Sequence, residues 1–203
     1  MAAEESLSIV FVLGSVPEER LCPRVATYLR NVFESSGHTV SVVDTLWSPY
    51  MQTGQRAGDS NQNRDWLVKP CDTIHSSDAV VVISSEYCHV VPPVLTHVVG
   101  VTGKVAFRGK PCGIVTYSNG PYGAVRVTAQ LRTLMASVGC FVVPFTLPLC
   151  RVQDLIDESG TMLSTSADFG SKKLVRHLHW YALAFKLHSN SRAQPRDENA
   201  ITQ

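Results

Sequence analysis

The chain has 203 residues, 44% of them hydrophobic, with 18 lysine and arginine residues against 17 aspartate and glutamate residues. This length suffices for one well-buried domain, and no shift in composition indicates a second. The net charge of +1 argues against a nucleic-acid or anionic-membrane surface as the main function, and the longest apolar runs are too short to span a bilayer.

The N-terminal residues and the cysteines indicate the compartment in which the protein works. Residues 1–5 are acidic and lack the apolar core of a signal peptide. None of the six cysteines forms a C-x-x-C pair, and Cys112 and Cys140 lie in apolar strand contexts that predict buried, reduced thiols. We therefore expect a reducing, cytoplasmic location.

Short apolar runs alternate with amphipathic segments along the chain. A nearly continuous apolar run at 7–13 predicts a parallel strand covered on both faces, and the turn after it leads into a helix over 22–36. A second strand follows at 39–43, with Asp44 at its carboxyl end. Residues 47–64 are polar and contain glycine, which predicts a mobile surface loop within the domain.

The same alternation continues in the middle of the chain. A weakly amphipathic segment at 66–74 predicts a helix, and the apolar run at 79–83 predicts the third strand. A helix over 94–101 and a fourth strand over 111–116 come next. Apolar residues then recur with helical spacing over 125–138.

The C-terminal part contains one more strand and one more helix. We predict the fifth strand at 140–143, an irregular segment at 144–148 and an amphipathic helix over 166–188. We expect residues 189–203 to form a disordered polar tail. Five strands that alternate with helices predict an α/β fold, a parallel sheet with helices on both faces, in a single domain over 1–188.

The loop after the fourth strand carries the most specific signal. Residues 118–123 are turn formers that expose backbone N–H groups, and they lie at the carboxyl end of a strand, where open α/β sheets bind ligands. The loop has neither a G-x-G-x-x-G pattern nor a Walker lysine. A flat aromatic cofactor lying against main-chain amides is therefore the favoured ligand.

Three loops, after strands 1, 3 and 4, together resemble one family. They read Gly14-Ser15 with Arg20, then Glu86-Tyr87-x-His89-x-x-Pro92-x-x-Leu95, then Ser118-Asn119-Gly120-Pro121-Tyr122-Gly123 with Arg126. Their order and spacing resemble the NAD(P)H-dependent FMN reductase family of flavodoxin-like proteins, which includes quinone and azo reductases. The resemblance covers roughly 6–144 and implies a flavodoxin-like three-layer sandwich with strand order 2-1-3-4-5.

The resemblance also implies which residues bind FMN, and it implies neither a catalytic side chain nor a metal ligand. The expected cofactor-binding residues are Ser15, Arg20 and Leu21 in the first loop, Glu86, Tyr87, Cys88 and His89 in the second, and Ser118, Asn119, Gly120, Pro121, Tyr122 and Gly123 in the third. The first loop places backbone N–H groups and a helix N-terminus beside the phosphate. In the third loop, amides would donate to the pyrimidine end of the flavin, and the glycines permit close approach.

Several positions depart from the family pattern. The family often has arginine at Pro17, for which Arg20 is a substitute, proline at Ser85 and asparagine at Cys88.

Some of these residues also have simpler structural interpretations. Tyr87 is consistent with an aromatic residue at a strand end that fills the edge of the core. His89 is consistent either with a proton donor or with a histidine that is hydrogen-bonded to its own loop.

The family's chemistry implies that NAD(P)H passes a hydride through bound FMN to a quinone, an azo compound or free flavin, by a ping-pong scheme. We also expect a homodimer or homotetramer, for which the apolar helix at 94–101 is a candidate interface. Arg126 and the polar residues 53–63 are candidates for binding the phosphates of NAD(P)H.

Two other classes of protein stay open on the sequence. One is a non-catalytic electron carrier or flavin-sensing regulator on the same fold, and the other is a cofactor-free relative that has lost the pocket. A metal enzyme is disfavoured because the histidines are scattered, and His177 and His179 have a spacing that puts them on different helix faces. The absence of a G-x-S-x-G elbow disfavours a serine hydrolase.

Overall fold

In the computed structural model, which describes residues 5–16, 20–48 and 65–191, helices cover both faces of a five-stranded parallel sheet. The strand order is β2-β1-β3-β4-β5, as predicted. The strands are β1 Ser8–Leu13, β2 Thr39–Asp44, β3 Ala79–Ser84, β4 Pro111–Tyr117 and β5 Phe141–Leu149. Since every pair is parallel, all five carboxyl ends lie at one edge of the sheet.

The helices alternate with the strands. They are α1 Cys22–Ser35, α2 Asp65–Ser76, α3 Pro93–Phe107, α4 Arg126–Ser137, α5 Val152–Leu155 and α6 Thr165–Ser191, and a single 3-10 turn, Thr45–Trp47, follows β2. Among the described residues, none of these helices has the length and apolar character needed to cross a membrane.

Two apolar layers, one on each face of the sheet, hold the fold together. Alternate residues of β1 point into opposite layers, which is why its sequence is apolar almost throughout. On one face, Phe11 packs edge-on against Phe33 of α1, with ring centroids 5.4 Å apart, and Leu174 of α6 closes the layer. On the other face, α2, α3 and α4 cover the sheet, with Phe107 and Met135 fully buried.

The predicted end of the fifth strand is wrong. Residues 144–148 continue the strand as far as Leu149 instead of forming an irregular segment. The two prolines in this stretch, Pro144 and Pro148, are exposed on an edge strand, where a missing N–H removes no bond to a second neighbour. The pairing with β4 shifts register between Cys112 and Ile114, which indicates a bulge at the first proline.

Three helices are longer than predicted, and α2 ends two residues after its predicted end. α3 continues to Phe107 past Gly103, whose φ of 54° kinks the helix close to its predicted end. α6 continues to Ser191, so the first residues of the predicted tail are helical. The rest of the tail, the polar loop residues 52–63 and Pro17 lie outside the described residues.

The apolar residues of α3 belong mainly to the core of the chain itself. Val94, Leu95, Val98, Val99 and Val101 are all buried within the chain. The apolar pattern at 94–101, which suggested an interface, is therefore explained by packing on the sheet.

All six cysteines are free, and their burial differs widely. Cys112 and Cys140 are buried, as predicted, and Cys22 is fully buried in α1. Burial raises the pKa of the Cys22 thiol to about 12, since the low-polarity surroundings disfavour the thiolate. Cys88, in contrast, is exposed at the carboxyl edge of the sheet.

Gly14, directly after β1, packs closely against β3 and α3. Its N–H donates to the carbonyl of Ile83 over 2.9 Å, and a Cβ placed on it would lie 2.7 Å from Leu95 Cδ2 and 3.0 Å from Ser84 Oγ. Only glycine therefore lets the end of β1 approach β3 and α3 this closely.

We expect Gly14→Ala to lower the free energy of unfolding by about 1–3 kcal/mol, because the added methyl group overpacks this contact. Gly100→Ala in α3 is the matched control. A Cβ at Gly100 meets nothing within 4 Å, so this change should be neutral or stabilising. Urea unfolding measures both, and equal stability of the two variants would contradict the close-approach argument.

We expect native-state alkylation at pH 8 to label Cys88 and to spare Cys22. Cys88 is exposed, whereas Cys22 is buried and its pKa is raised to about 12, so little thiolate forms at this pH. Mass spectrometry of peptides after a short iodoacetamide pulse measures the order of labelling, with the urea-unfolded protein as control. Labelling of Cys22 before Cys88 would contradict the burial of the Cys22 thiol in α1.

Candidate functional site

Three loops meet at the carboxyl edge of the sheet. The first loop follows β1 (residues 14–16 and 20–21 of the described chain), the second follows β3 (residues 85–92), and the third follows β4 (residues 118–125). Since β1, β3 and β4 are neighbours, the loops are brought together by the strand order alone. The structure therefore gathers the sequence-predicted site residues at one place.

The first loop contacts the second through Tyr87. The Val16 N–H donates to the hydroxyl of Tyr87 over 3.2 Å, and Ser15 Oγ lies 3.2 Å from the same hydroxyl. Ser15 is only 3% exposed. α1 begins after Leu21 without a side-chain cap, so the positive end of its dipole lies beside the first loop.

Arg20 is held by Asp44 at the end of β2. Its Nη1 donates to Asp44 Oδ1 over 2.7 Å and to the carbonyl of Ser15, and its Nη2 pairs with Asp44 Oδ2. The side chain of Arg20 is only 7% exposed, and the hydrogen bond with Asp44 raises its pKa. Arg20 lies in the first loop, and its charge is already paired with Asp44.

The second loop turns sharply at Cys88 and His89. The N–H of Tyr87 donates to the carbonyl of Val90 and the N–H of Val90 to the carbonyl of Tyr87, each over 3.0 Å. Both turn residues are left-handed, with φ of 49° and 65°, a geometry that favours Asn-Gly. The His89 side chain is 69% exposed, so this turn presents its side chains to solvent.

α4 holds the second loop from below. Arg126 Nη1 donates to Glu86 Oε1 over 3.0 Å, and the guanidinium carbon lies 5.0 Å from the centre of the Tyr122 ring. Gln130 accepts from the Val91 N–H over 3.1 Å, and its Nε2 donates to the carbonyl of His89 over 3.0 Å. Arg126, proposed from the sequence as a phosphate ligand, is thus paired with Glu86.

The third loop presents unpartnered backbone donors. Within the described part of the chain, the N–H groups of Asn119, Gly120, Tyr122 and Gly123 have no hydrogen-bond partner. The loop is fixed through its carbonyl groups instead, since Gly120 accepts from the Arg151 N–H over 2.9 Å. This leaves a row of amides available to a ligand at the carboxyl end of β4.

The two glycines of the third loop have different roles. A Cβ on Gly123, which has φ of 56°, would lie 3.1 Å from the backbone of Leu149, so the fold itself requires this glycine. A Cβ on Gly120 would meet only Ser118 Oγ, at 4.0 Å. Gly120 therefore leaves open space beside the free amides. Pro121 and Tyr122 are exposed at the rim.

Buried polar atoms lie close to the second loop and to the end of β4. In the described chain, Glu86 Oε2 is buried without a hydrogen-bond partner. The buried hydroxyl of Tyr117 lies beside Ser15, Cys22 and Ser85. Tyr117 is 4% exposed, and burial raises its pKa. The sequence analysis did not single out Tyr117, because an aromatic residue at the end of an apolar strand gives no functional signal. An unpartnered buried oxygen such as Glu86 Oε2 is compatible with a bound ligand nearby.

A concave surface lies between α1 and α6. Its cavity of about 1050 Å³ is lined by side chains that include His38, Asp168 and Lys172. Asp168 is engaged by the Tyr28 hydroxyl at 3.1 Å and by Lys172 Nζ at 2.7 Å, and the hydrogen bond from Lys172 lowers its pKa. None of the three loops contributes to this cavity, so it is distinct from the site at the carboxyl edge.

The three loops match the ring of FMN better than its phosphate. The free amides of the third loop and the open space at Gly120 suit the flavin ring. At the phosphate end, Ser15 and the uncapped α1 offer donors, whereas the Val16 amide and Arg20 are already engaged by Tyr87 and Asp44. The residues present therefore fit the ring of FMN directly and its phosphate only in part.

Comparison with known proteins identifies the family. A family model described as NADPH-dependent FMN reductase matches residues 7–153. A search of the curated proteins found no match.

Several solved structures are similar in fold. The flavoenzyme NAD(P)H:(acceptor) oxidoreductase FerB from Paracoccus denitrificans has a TM-score of 0.66 and 17% identity over 88% of this chain and 98% of its own. An oxidoreductase from Corynebacterium diphtheriae has a TM-score of 0.65 and 13% identity over 88% and 98%. The NAD(P)H:quinone oxidoreductase from Methanothermobacter marburgensis has a TM-score of 0.55 and 12% identity over 86% and 100%.

At these identities the solved structures show a shared flavodoxin-like fold, and the family model carries the assignment. The chain belongs to the NADPH-dependent FMN reductase family of oxidoreductases, with FMN as the cofactor and NAD(P)H as the co-substrate.

Proposed function

We propose that this protein passes a hydride from NAD(P)H through FMN, bound at the carboxyl edge of the sheet, to a quinone, an azo compound or free flavin. The observation that carries the proposal is the row of unpartnered amides in the third loop beside the open space at Gly120. When bound, FMN supplies the hydride chemistry. The side chains of the protein act by binding and orientation.

The third loop would hold the pyrimidine end of the flavin. Its free N–H groups, those of Asn119, Gly120, Tyr122 and Gly123, are fixed by the carbonyl contact of Gly120 with the Arg151 amide, so they need no rearrangement to donate. Preorganised donors stabilise the negative charge that develops at this end on reduction. Ser118, whose Oγ donates to the Gly120 carbonyl over 3.0 Å, would keep the loop in this shape.

The second loop would border the ring at its solvent side. Glu86 is fixed by Arg126, and the exposed turn at Cys88 and His89 leaves this side of the site open to solvent. One opening shared by NAD(P)H and the acceptor supports a ping-pong scheme, in which the first product leaves before the acceptor enters. His89 is the side chain that we propose as a proton donor to the acceptor, because its imidazole is exposed at this turn.

We further propose that the protein is a cytoplasmic homodimer or homotetramer. The six free cysteines support a reducing compartment. The oligomeric state rests on the family resemblance.

The test is visible spectroscopy of the purified protein with FMN in excess. We expect a flavin absorption band that NAD(P)H bleaches and a quinone restores. NAD(P)H oxidation with the quinone should continue over many turnovers. An electron carrier or sensor on the same fold would bind FMN but would not sustain NAD(P)H oxidation with a quinone. A protein that binds no flavin would contradict the proposed site.

We expect Gly120→Val to weaken FMN binding at least about 100-fold, because the branched side chain fills the space beside the free amides. The fold should stay intact, since a Cβ at Gly120 has no close protein neighbour. Gly100→Val, at an equally open glycine in α3, is the matched control and should bind FMN normally. Flavin fluorescence titration measures both, and full FMN affinity in Gly120→Val would refute the placement of the ring.

A further inference from the structure

At the phosphate end of the candidate site, two described groups that could bind a phosphate, the Val16 N–H and the Arg20 guanidinium, are already bonded to other parts of the protein. We infer, on the basis of the proposed function, that the site binds flavins as a class and discriminates little between FMN and riboflavin. The inference rests on the Arg20–Asp44 ion pair and on the contact of Tyr87 with the first loop.

Among the described residues of the first loop, Arg20 is the only cationic side chain, and Asp44 neutralises its charge. Two hydrogen bonds join the guanidinium to the carboxylate, and a third joins it to the Ser15 carbonyl. A phosphate dianion placed beside Arg20 would also face the carboxylate of Asp44. The attraction of the cation is therefore largely cancelled by the repulsion of the anion.

Tyr87 takes the backbone donor that the phosphate would use. Its hydroxyl accepts the Val16 N–H and lies within hydrogen-bonding distance of Ser15 Oγ. A phosphate oxygen can accept the Val16 N–H only by displacing the hydroxyl, so at this amide one hydrogen bond is exchanged for another. Riboflavin ends in a hydroxyl group and requires no such displacement.

The ring end, in contrast, has its donors free. The amides of Asn119, Gly120, Tyr122 and Gly123 have no partner among the described residues, and the ring that they would bind is the same in FMN and riboflavin. Most of the binding free energy then comes from the part that the two flavins share. The phosphate adds little.

The experiment is a fluorescence-quenching titration of the whole protein with FMN and, separately, with riboflavin. We expect the two dissociation constants to agree within about 3-fold. Asp44→Asn should then increase the affinity for FMN by about 10-fold and leave that for riboflavin unchanged, because it frees the charge of Arg20. Asparagine keeps an oxygen to accept the Leu46 N–H, which Asp44 Oδ1 accepts over 3.0 Å.

Two further variants make the result specific. Tyr87→Phe frees the Val16 amide and should also increase the affinity for FMN relative to riboflavin. This variant tests the inference if Asp44→Asn does not fold. Asp72→Asn removes one carboxylate from an exposed position in α2 and should change neither affinity. Circular dichroism of each variant reports whether it is folded.

The outcomes separate the inference from the proposed function. If the unmodified protein binds FMN more than about 30-fold tighter than riboflavin, the inference is overturned and the proposed function stands. The inference also fails if both folded variants keep the original ratio of affinities. If neither flavin binds, the proposed function is overturned, and the inference with it.

Discussion

The parallel direction of all five strands is the constraint on which the rest of this structure depends. It brings the carboxyl ends of β1, β3 and β4 to one edge, so loops far apart in sequence meet there. The apolar layers on both faces of the sheet keep the strands buried and leave that edge as the place where backbone groups lack regular partners. A ligand site at this edge follows from the topology before any side chain is considered.

At this edge the charged side chains form ion pairs within the protein, whereas backbone N–H groups remain available to bind a ligand. Arg20 and Arg126 each carry a charge that could bind an anion, yet Asp44 and Glu86 already pair with them. The amides of the third loop remain free because the loop is anchored through its carbonyl groups. This division favours recognition of a flat polar ring over recognition of a dianion, and it agrees with a family in which the cofactor carries the chemistry.

The sequence predicted the strands and the turn-forming loops because apolar periodicity and turn composition are local properties, whereas the strand order came from the family resemblance. It could not predict contacts between distant residues. Arg20 pairs with Asp44, 24 positions away, and Tyr87 reaches Ser15, 72 positions away. The course of β5 through Pro144 was also missed, since a proline excludes a strand only when both of its edges are paired. Which cofactor-binding residues act as predicted stays a prediction.

The most direct test of the central claim is the change in backbone amide chemical shifts of ¹⁵N-labelled protein on titration with FMN. Our account predicts that the largest changes fall on the third-loop amides of Asn119, Gly120, Tyr122 and Gly123, with smaller ones in the first and second loops. Changes confined to the cavity between α1 and α6, with the third loop unaffected, would contradict the claim that the flavin binds at the carboxyl edge of the sheet.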